Sequence, residues 1–139
     1  MGKPAAATQD ARLAIQTLDL FLSPAAFSEK QWESLDKQLR ATSYYILAKA
    51  ATEEDVSGAE GKRKLQEAEE FASMAVRLNP SDPASTYLLG LIRLARGNQA
   101  GAAIAFAAAY RQGGPLKERA KQHLQAAYAH WPSNPQKKL

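Results

Sequence analysis

Residues 79–115 read NPSDPASTYLLGLIRLARGNQAGAAIAFAAAYRQGGP, and this stretch carries the strongest structural signal in the chain. Asp82 followed by Pro83 is typical of a helix start, because aspartate caps free backbone N–H groups and proline is tolerated in the first turn. Glycines follow each apolar run, where helices commonly end. The stretch therefore predicts two helices, over 83–96 and 99–112, joined by a turn short enough to make them an antiparallel pair.

In the remainder of the chain, prolines and glycines also lie mainly at the boundaries of the predicted helices, and the composition is that of a helical protein. Alanine occurs 28 times and leucine 16 times, whereas valine and isoleucine together occur 6 times. This balance favours helix over sheet. Ser28 with Gln31 three residues later predicts a capping box. The other apolar stripes with helical period predict helices over 8–22, 28–52, 61–78 and 115–130.

Small and aromatic residues recur at fixed spacing along the second half of the chain. The set with the best spacing consists of Leu89, Gly90, Ala102, Phe106 and Ala109. A weaker second set, Ala68, Ala75 and Pro80, lies 34 residues before Ala102, Ala109 and Gly114. In this pattern the chain resembles the tetratricopeptide repeat family, whose repeats place a Leu-Gly pair, two alanines, an aromatic residue and a proline at these intervals. The resemblance assigns these eight residues to helix packing.

The resemblance implies an all-α stack of antiparallel helical hairpins, an α-solenoid of about six helices with two to three degenerate repeats. We expect an N-terminal segment with a capping helix over 1–27, an imperfect hairpin over 28–80, a hairpin over 81–114, and a capping helix with a tail over 115–139. Aligning the imperfect hairpin requires about eight additional residues, which we place in a loop insertion over 52–62.

The sequence shows no set of residues with catalytic or cofactor-binding spacing. The chain has no cysteine, which excludes disulfides and cysteine-ligated metals. It also lacks phosphate-binding and nucleophile-elbow motifs. His123 and His130 are seven residues apart on one predicted helix, about 10 Å along its axis, so they cannot share a metal ion. We expect surface or partly packed histidines, no catalytic residue, no metal and no cofactor.

The resemblance also implies a concave groove that receives a peptide or helix of another protein. The groove positions carried over onto this chain are Tyr45, Lys49, Tyr87, Leu91, Leu94, Lys121, Gln125 and Tyr128. Aromatic and aliphatic groups would supply affinity, and Lys49 and Lys121 would orient an acidic group. The sequence thus predicts a non-catalytic protein-interaction module, an adaptor or scaffold.

The charge distribution leaves two alternatives open. Residues 1–60 carry a net charge of −3 and residues 61–139 a net charge of +7. Cations near the start of the last helix, with Tyr110 and Tyr128 close in sequence, are also compatible with a basic helical adaptor for RNA or an acidic polymer. The pattern favours a protein partner over nucleic acid, and self-association is the other alternative.

The sequence contains no targeting or membrane-spanning signal. No apolar run approaches the roughly 20 residues that a membrane-spanning helix needs, and the N-terminus lacks the apolar core of a signal peptide. We therefore expect a soluble protein that is cytoplasmic by default, or extracytoplasmic if the sequence is a processed segment of a longer chain.

Overall fold

A computed structural model describes residues 4–20, 27–54 and 57–129. Within them the chain is all-helical, as predicted, without a strand. The six helices are α1 (Pro4–Leu20), α2 (Glu29–Thr52), α3 (Gly58–Leu78), α4 (Pro83–Ala95), α5 (Gln99–Gln112) and α6 (Lys117–Ala129). Successive helices pack in adjacent pairs, α1 on α2, α2 on α3, α4 on α5, and α5 on α6. The chain divides into two compact units, unit 1 over residues 1–80 and unit 2 over residues 81–139.

Two helix starts differ from the predicted ones by three or four residues, whereas those of α2 and α6 differ by one and two residues. α1 begins at Pro4 instead of residue 8, because proline fits a first helical turn and the three alanines after it favour helix. α3 begins at Gly58 instead of residue 61, so residues 58–62 of the loop insertion expected over 52–62 are helical. Glu60 stabilises this first turn through its ion pair with Arg63 at 2.5 Å. The predicted ends at 22 and 130 and the predicted tail lie outside the described residues.

The start of α2 is fixed by its own local sequence. Ser28 Oγ accepts a hydrogen bond from the Gln31 backbone N–H at 3.1 Å, and the Ser28 N–H donates to Gln31 Oε1 at 3.0 Å. The predicted capping box is therefore confirmed. The Phe27 and Trp32 rings, 6.1 Å apart, add a hydrophobic staple across the same turn.

The turn between α4 and α5 is stabilised from both sides. The Asn98 N–H donates to the Arg93 carbonyl and the Gly97 N–H to the Leu94 carbonyl, which together form a Schellman ending. Gly97 has a φ of +80°, a conformation that glycine adopts without a steric penalty. Asn98 then caps α5 by accepting the Gly101 N–H at 2.9 Å. The antiparallel pair predicted for this stretch thus has a short and well-satisfied connection.

The core of unit 1 is built from small residues, which lets its helices pack closely. Its buried members include Ala11, Leu18, Ala41, Leu47, Ala48, Leu65, Ala68, Ala72 and Ala75. At the edge of the core, Tyr44 of α2 stacks on Phe71 of α3 with ring centroids 6.0 Å apart. Arg12 of α1 lies over the same Phe71 ring and pairs with Glu67 at 3.6 Å, which links the first helix to the third.

Arg40 joins α1 to α2. Its Nη1 donates to Asp19 Oδ1 in α1 at 2.5 Å, and its Nε donates to Asp36 Oδ2 one turn earlier in α2 at 2.9 Å. The hydrogen bond to Asp36, followed by that to Asp19, raises the pKa of Arg40. A pKa that is higher in the folded than in the unfolded state contributes its full stabilisation at any pH below the unfolded-state pKa. Because arginine is fully protonated at ordinary pH, the contribution of Arg40 to the free energy of unfolding does not change over that range. Salt concentration, not pH, is the variable that tests it.

Arg40→Met should lower the free energy of unfolding by about 1–2 kcal/mol at low salt, because it removes two charge-assisted hydrogen bonds from a side chain that is only 22% exposed. Lys37→Met is the matched control, since Lys37 forms an exposed pair with Glu33 in the same helix and should cost less than about 0.5 kcal/mol. Urea denaturation at two salt concentrations measures both; equal losses would contradict a linking role for Arg40.

The packing of unit 2 depends on a close approach between α4 and α5. Gly90 faces the ring of Phe106, which is 1% exposed, and a Cβ placed on Gly90 would lie 2.8 Å from that ring. Carbon atoms at this distance overlap, so the ring packs there only because residue 90 lacks a side chain. Ala102 and Ala109, 2% and 0% exposed, complete the buried face of α5.

Gly90→Ala should therefore lower the free energy of unfolding by about 1–3 kcal/mol, because overpacking outweighs the gain of about 1 kcal/mol in helix propensity. The double variant Gly90→Ala, Phe106→Leu should lose less than the sum of the two single losses, since the smaller side chain relieves the overlap. Thermal unfolding followed by circular dichroism measures all three variants. Strictly additive losses would mean that the contact does not limit packing.

Candidate functional site

The residues predicted for helix packing occupy two different environments. Leu89, Gly90, Ala102, Phe106 and Ala109 are buried in unit 2, and Ala68 and Ala75 are buried in unit 1. Pro80 is exposed in the short connection between α3 and α4. Seven of the eight predicted packing positions are thus buried within their own unit.

Of the predicted groove residues, three lie on one face of α4, where Tyr87, Leu91 and Leu94 are spaced by four and three residues. Tyr87 and Leu91 are half-buried and pack against the core cluster of unit 2. Leu94, the second-to-last residue of the helix, is 40% exposed. Only the last of the three therefore offers much apolar surface to another molecule.

Tyr87 takes part in a cluster of three rings drawn from three helices. Its ring centroid lies 5.6 Å from that of Phe106 in α5. The His123 ring of α6 stacks on Phe106 at 4.4 Å with an interplanar angle of 6°. Tyr87 Oη and His123 Nε2 are 3.2 Å apart, within hydrogen-bond distance. The cluster holds α4, α5 and α6 in a fixed mutual arrangement.

The ring cluster also sets the rotation of α6 about its own axis. His123 faces α4 and α5, and each residue turns a helix by about 100°. The predicted groove residues Lys121, Gln125 and Tyr128 therefore lie roughly 140–160° around α6 from His123. All three are exposed, Tyr128 at 56%. They form a separate stripe that the structure does not bring together with Tyr87, Leu91 and Leu94.

The two remaining predicted groove residues belong to unit 1. Tyr45 is half-buried and Lys49 is exposed, both on α2. The eight groove residues are thus distributed over three sets, the α4 face, the α6 stripe and α2. The sequence pattern identifies which residues share a face of one helix, but it does not fix how each helix is rotated against its neighbours.

An apolar cleft of about 130 Å³ lies where α4 ends, α5 begins and α6 ends. Its lining residues are Leu94, Gln99, Ala102, Ala103, Phe106, His123, Ala126 and Ala127. Apolar cavities of roughly 150 Å³ bind guests the size of benzene, so this cleft suits one aliphatic or aromatic side chain. Of this set, the sequence predicted Leu94 as a binding residue and Ala102 and Phe106 as packing residues, and no periodic signal marks His123.

Cations without a carboxylate partner surround the N-terminal half of α6. Arg111, Lys117, Arg119 and Lys121 are all exposed, and no carboxylate of the described residues lies within ion-pairing distance of them. Lys117 Nζ instead lies 5.0 Å from the centroid of the Tyr110 ring, a cation–π contact. This end of unit 2 therefore presents uncompensated positive charge.

The described ranges contain neither a metal-binding cluster nor a membrane-spanning helix. No group of three or more histidine or carboxylate side chains there is arranged to hold a metal ion. None of the helices in those ranges is both long enough and apolar enough to cross a bilayer.

Comparison with known proteins adds no assignment. No family model, curated protein or solved structure matches the chain. Function is therefore inferred from the chain's own residues and contacts.

The contacts of Tyr87 give it a structural role that can be measured. Tyr87→Phe should cost about 1 kcal/mol of unfolding free energy through loss of the hydrogen bond to His123, and Tyr87→Ala about 2–4 kcal/mol through loss of ring packing. Chemical denaturation measures both values. If Tyr87→Ala leaves stability unchanged, the ring is not part of the core and serves only as binding surface.

Proposed function

We propose that this chain is a non-catalytic protein-interaction module of the tetratricopeptide kind, and that unit 2 binds a peptide or helix of another protein. The observation that carries the proposal is the apolar cleft with Leu94 at its edge. Apolar pockets that admit one partner side chain are the usual centres of binding energy in such interfaces. α4 and α6 would flank the bound segment, and α5 would form the floor.

The cleft is rigid as well as apolar, and both properties support a binding role. Phe106, its largest lining side chain, is fixed between Gly90 and His123. The short turn at Gly97 fixes the ends of α4 and α5. A preformed pocket loses little conformational entropy when a partner binds, so more of the buried apolar area contributes to affinity.

The α4 residues then have two different roles in the proposed mechanism. Leu94 contacts the partner directly, whereas Tyr87 and Leu91 support the cleft from below through their contacts with the core cluster. Tyr45 and Lys49 would belong to a separate binding surface on unit 1, with Tyr45 supplying apolar surface and Lys49 a charge.

A second candidate function is the binding of RNA or another acidic polymer. It is favoured by the contact between Lys117 and Tyr110 and by the uncompensated cations around it. Such binding would be steeply weakened by salt and would not require the apolar cleft. Dependence on Leu94 therefore distinguishes the two functions.

Leu94→Asp should abolish capture of the partner, because a carboxylate at the edge of the cleft opposes burial of an apolar side chain. Ile104→Asp is the matched control, since Ile104 is an aliphatic residue of the same unit that is 68% exposed and does not line the cleft. Pull-down from native lysate with quantitative mass spectrometry would compare both with the unmodified chain.

Circular dichroism should show unchanged helicity in both variants, since neither residue is buried. Loss of the same captured proteins by both variants would contradict binding at the cleft. Light scattering over a range of concentrations identifies self-association, the remaining alternative, if Leu94→Asp changes the mass of the particle.

A further inference from the structure

The two compact units neutralise their charges in different ways. Unit 1 contains 10 basic and 12 acidic residues, a net charge of −2, whereas unit 2 contains 8 basic and 2 acidic residues, a net charge of +6. In unit 1 the paired cations include Arg12, Arg40 and Lys64, which contact Glu67, Asp19 with Asp36, and Glu54 respectively. Unit 2 has too few carboxylates to pair its cations in this way.

One of the uncompensated cations lies on the cleft side of α6. Arg119, His123 and Ala126 are spaced by four and three residues, which places them on a single stripe of the helix. His123 and Ala126 line the cleft. Arg119 is thus about 10 Å from Ala126 along the helix axis, a distance that three residues of an extended peptide cover.

The other cations lie on the opposite flank of the same half of the helix. Lys117 and Lys121 are roughly 120–160° around the axis from His123, and both are exposed. They are too far around α6 to contact a segment in the cleft directly. Their charges still raise the local potential, and long-range attraction of this kind accelerates the encounter with an oppositely charged partner.

From these positions we infer that the segment bound by unit 2 is an acidic peptide, with one apolar side chain in the cleft and a carboxylate about three residues away at Arg119. This inference rests on the proposed function, because it specifies the partner of the same cleft. The carboxylate supplies the negative charge that unit 2 lacks, and the apolar side chain covers the exposed part of Leu94.

The lining of the cleft favours a peptide over a nucleic acid. Four alanines, Leu94 and Phe106 supply most of its walls, and none of these side chains can donate a hydrogen bond to a phosphate. A single strand held by the cations and stacked on Tyr110 would leave the cleft empty. An acidic peptide uses both features together.

The test is selection of a random-peptide phage library on the immobilised full chain, followed by fluorescence anisotropy with the enriched peptides. We expect enrichment of Asp and Glu a few residues from a Leu or Phe, and affinities that fall several-fold as salt is raised from about 0.05 to 0.5 M. Arg119→Glu should weaken binding about three- to ten-fold. Lys62→Glu, an exposed position in unit 1 with the same change in net charge, should alter it less than about two-fold.

The experiment distinguishes failure of the acidic-peptide inference from failure of the proposed function. Peptides that require Leu94 but show no acidic enrichment and no response to Arg119→Glu would overturn the acidic partner and leave the proposed function intact. A library that yields no peptide dependent on Leu94 would overturn the proposed function as well. A single-stranded RNA oligonucleotide that binds equally to the unmodified chain and to Leu94→Asp, with displacement of the selected peptides, would assign the cations to nucleic acid and overturn the inference.

Discussion

Phe106 fills the space left by the absent side chain of Gly90, and this contact sets the distance between α4 and α5. The same ring also presents a flat surface to α6. His123 stacks on that surface at 4.4 Å, and Tyr87 reaches the same histidine from α4. A single small residue therefore determines where three helices meet, although each helix would form on local grounds alone.

The arrangement of the three rings also explains why a cleft forms between the ends of α4 and α6. The ring cluster holds α4 and α6 together near Tyr87 and His123, while toward the end of α4 the side chains that face each other are Leu94 and the two alanines at 126 and 127. Alanine side chains are too short to fill the space that the larger rings fill elsewhere. The close packing of one part of unit 2 and the open cleft in the next thus have one cause, the change from large to small side chains along α6.

Local chemistry explains why so much of the fold could be predicted. The Ser28 capping box, the Asp82 cap and the glycines after α4 and α5 act within four residues of the helix ends, so the sequence alone locates those ends. The start of α3 was placed too late because Gly58 and its polar neighbours resemble a loop. Ala120 and Leu124 of α6 do pack on the core of unit 2, but nothing in the apolar pattern indicated that His123, a half-buried polar ring, stacks on Phe106 beside them. The predicted groove residues of α4 and α6 accordingly lie on two separate stripes.

The two units differ more clearly in their net charge and ion pairing than in any sequence motif. In unit 1 the ion pairs of Arg12 and Arg40 connect one helix to another, so its charges stabilise the fold itself. In unit 2 the rings and small side chains connect the helices, and Arg111, Arg119 and Lys121 form no ion pair with a carboxylate of the described residues. Cations this close together repel one another, and folding gains nothing from grouping them around the N-terminal half of one helix. Under the proposed function, an acidic partner would balance this charge, with Arg119 as the cation on the cleft side of α6.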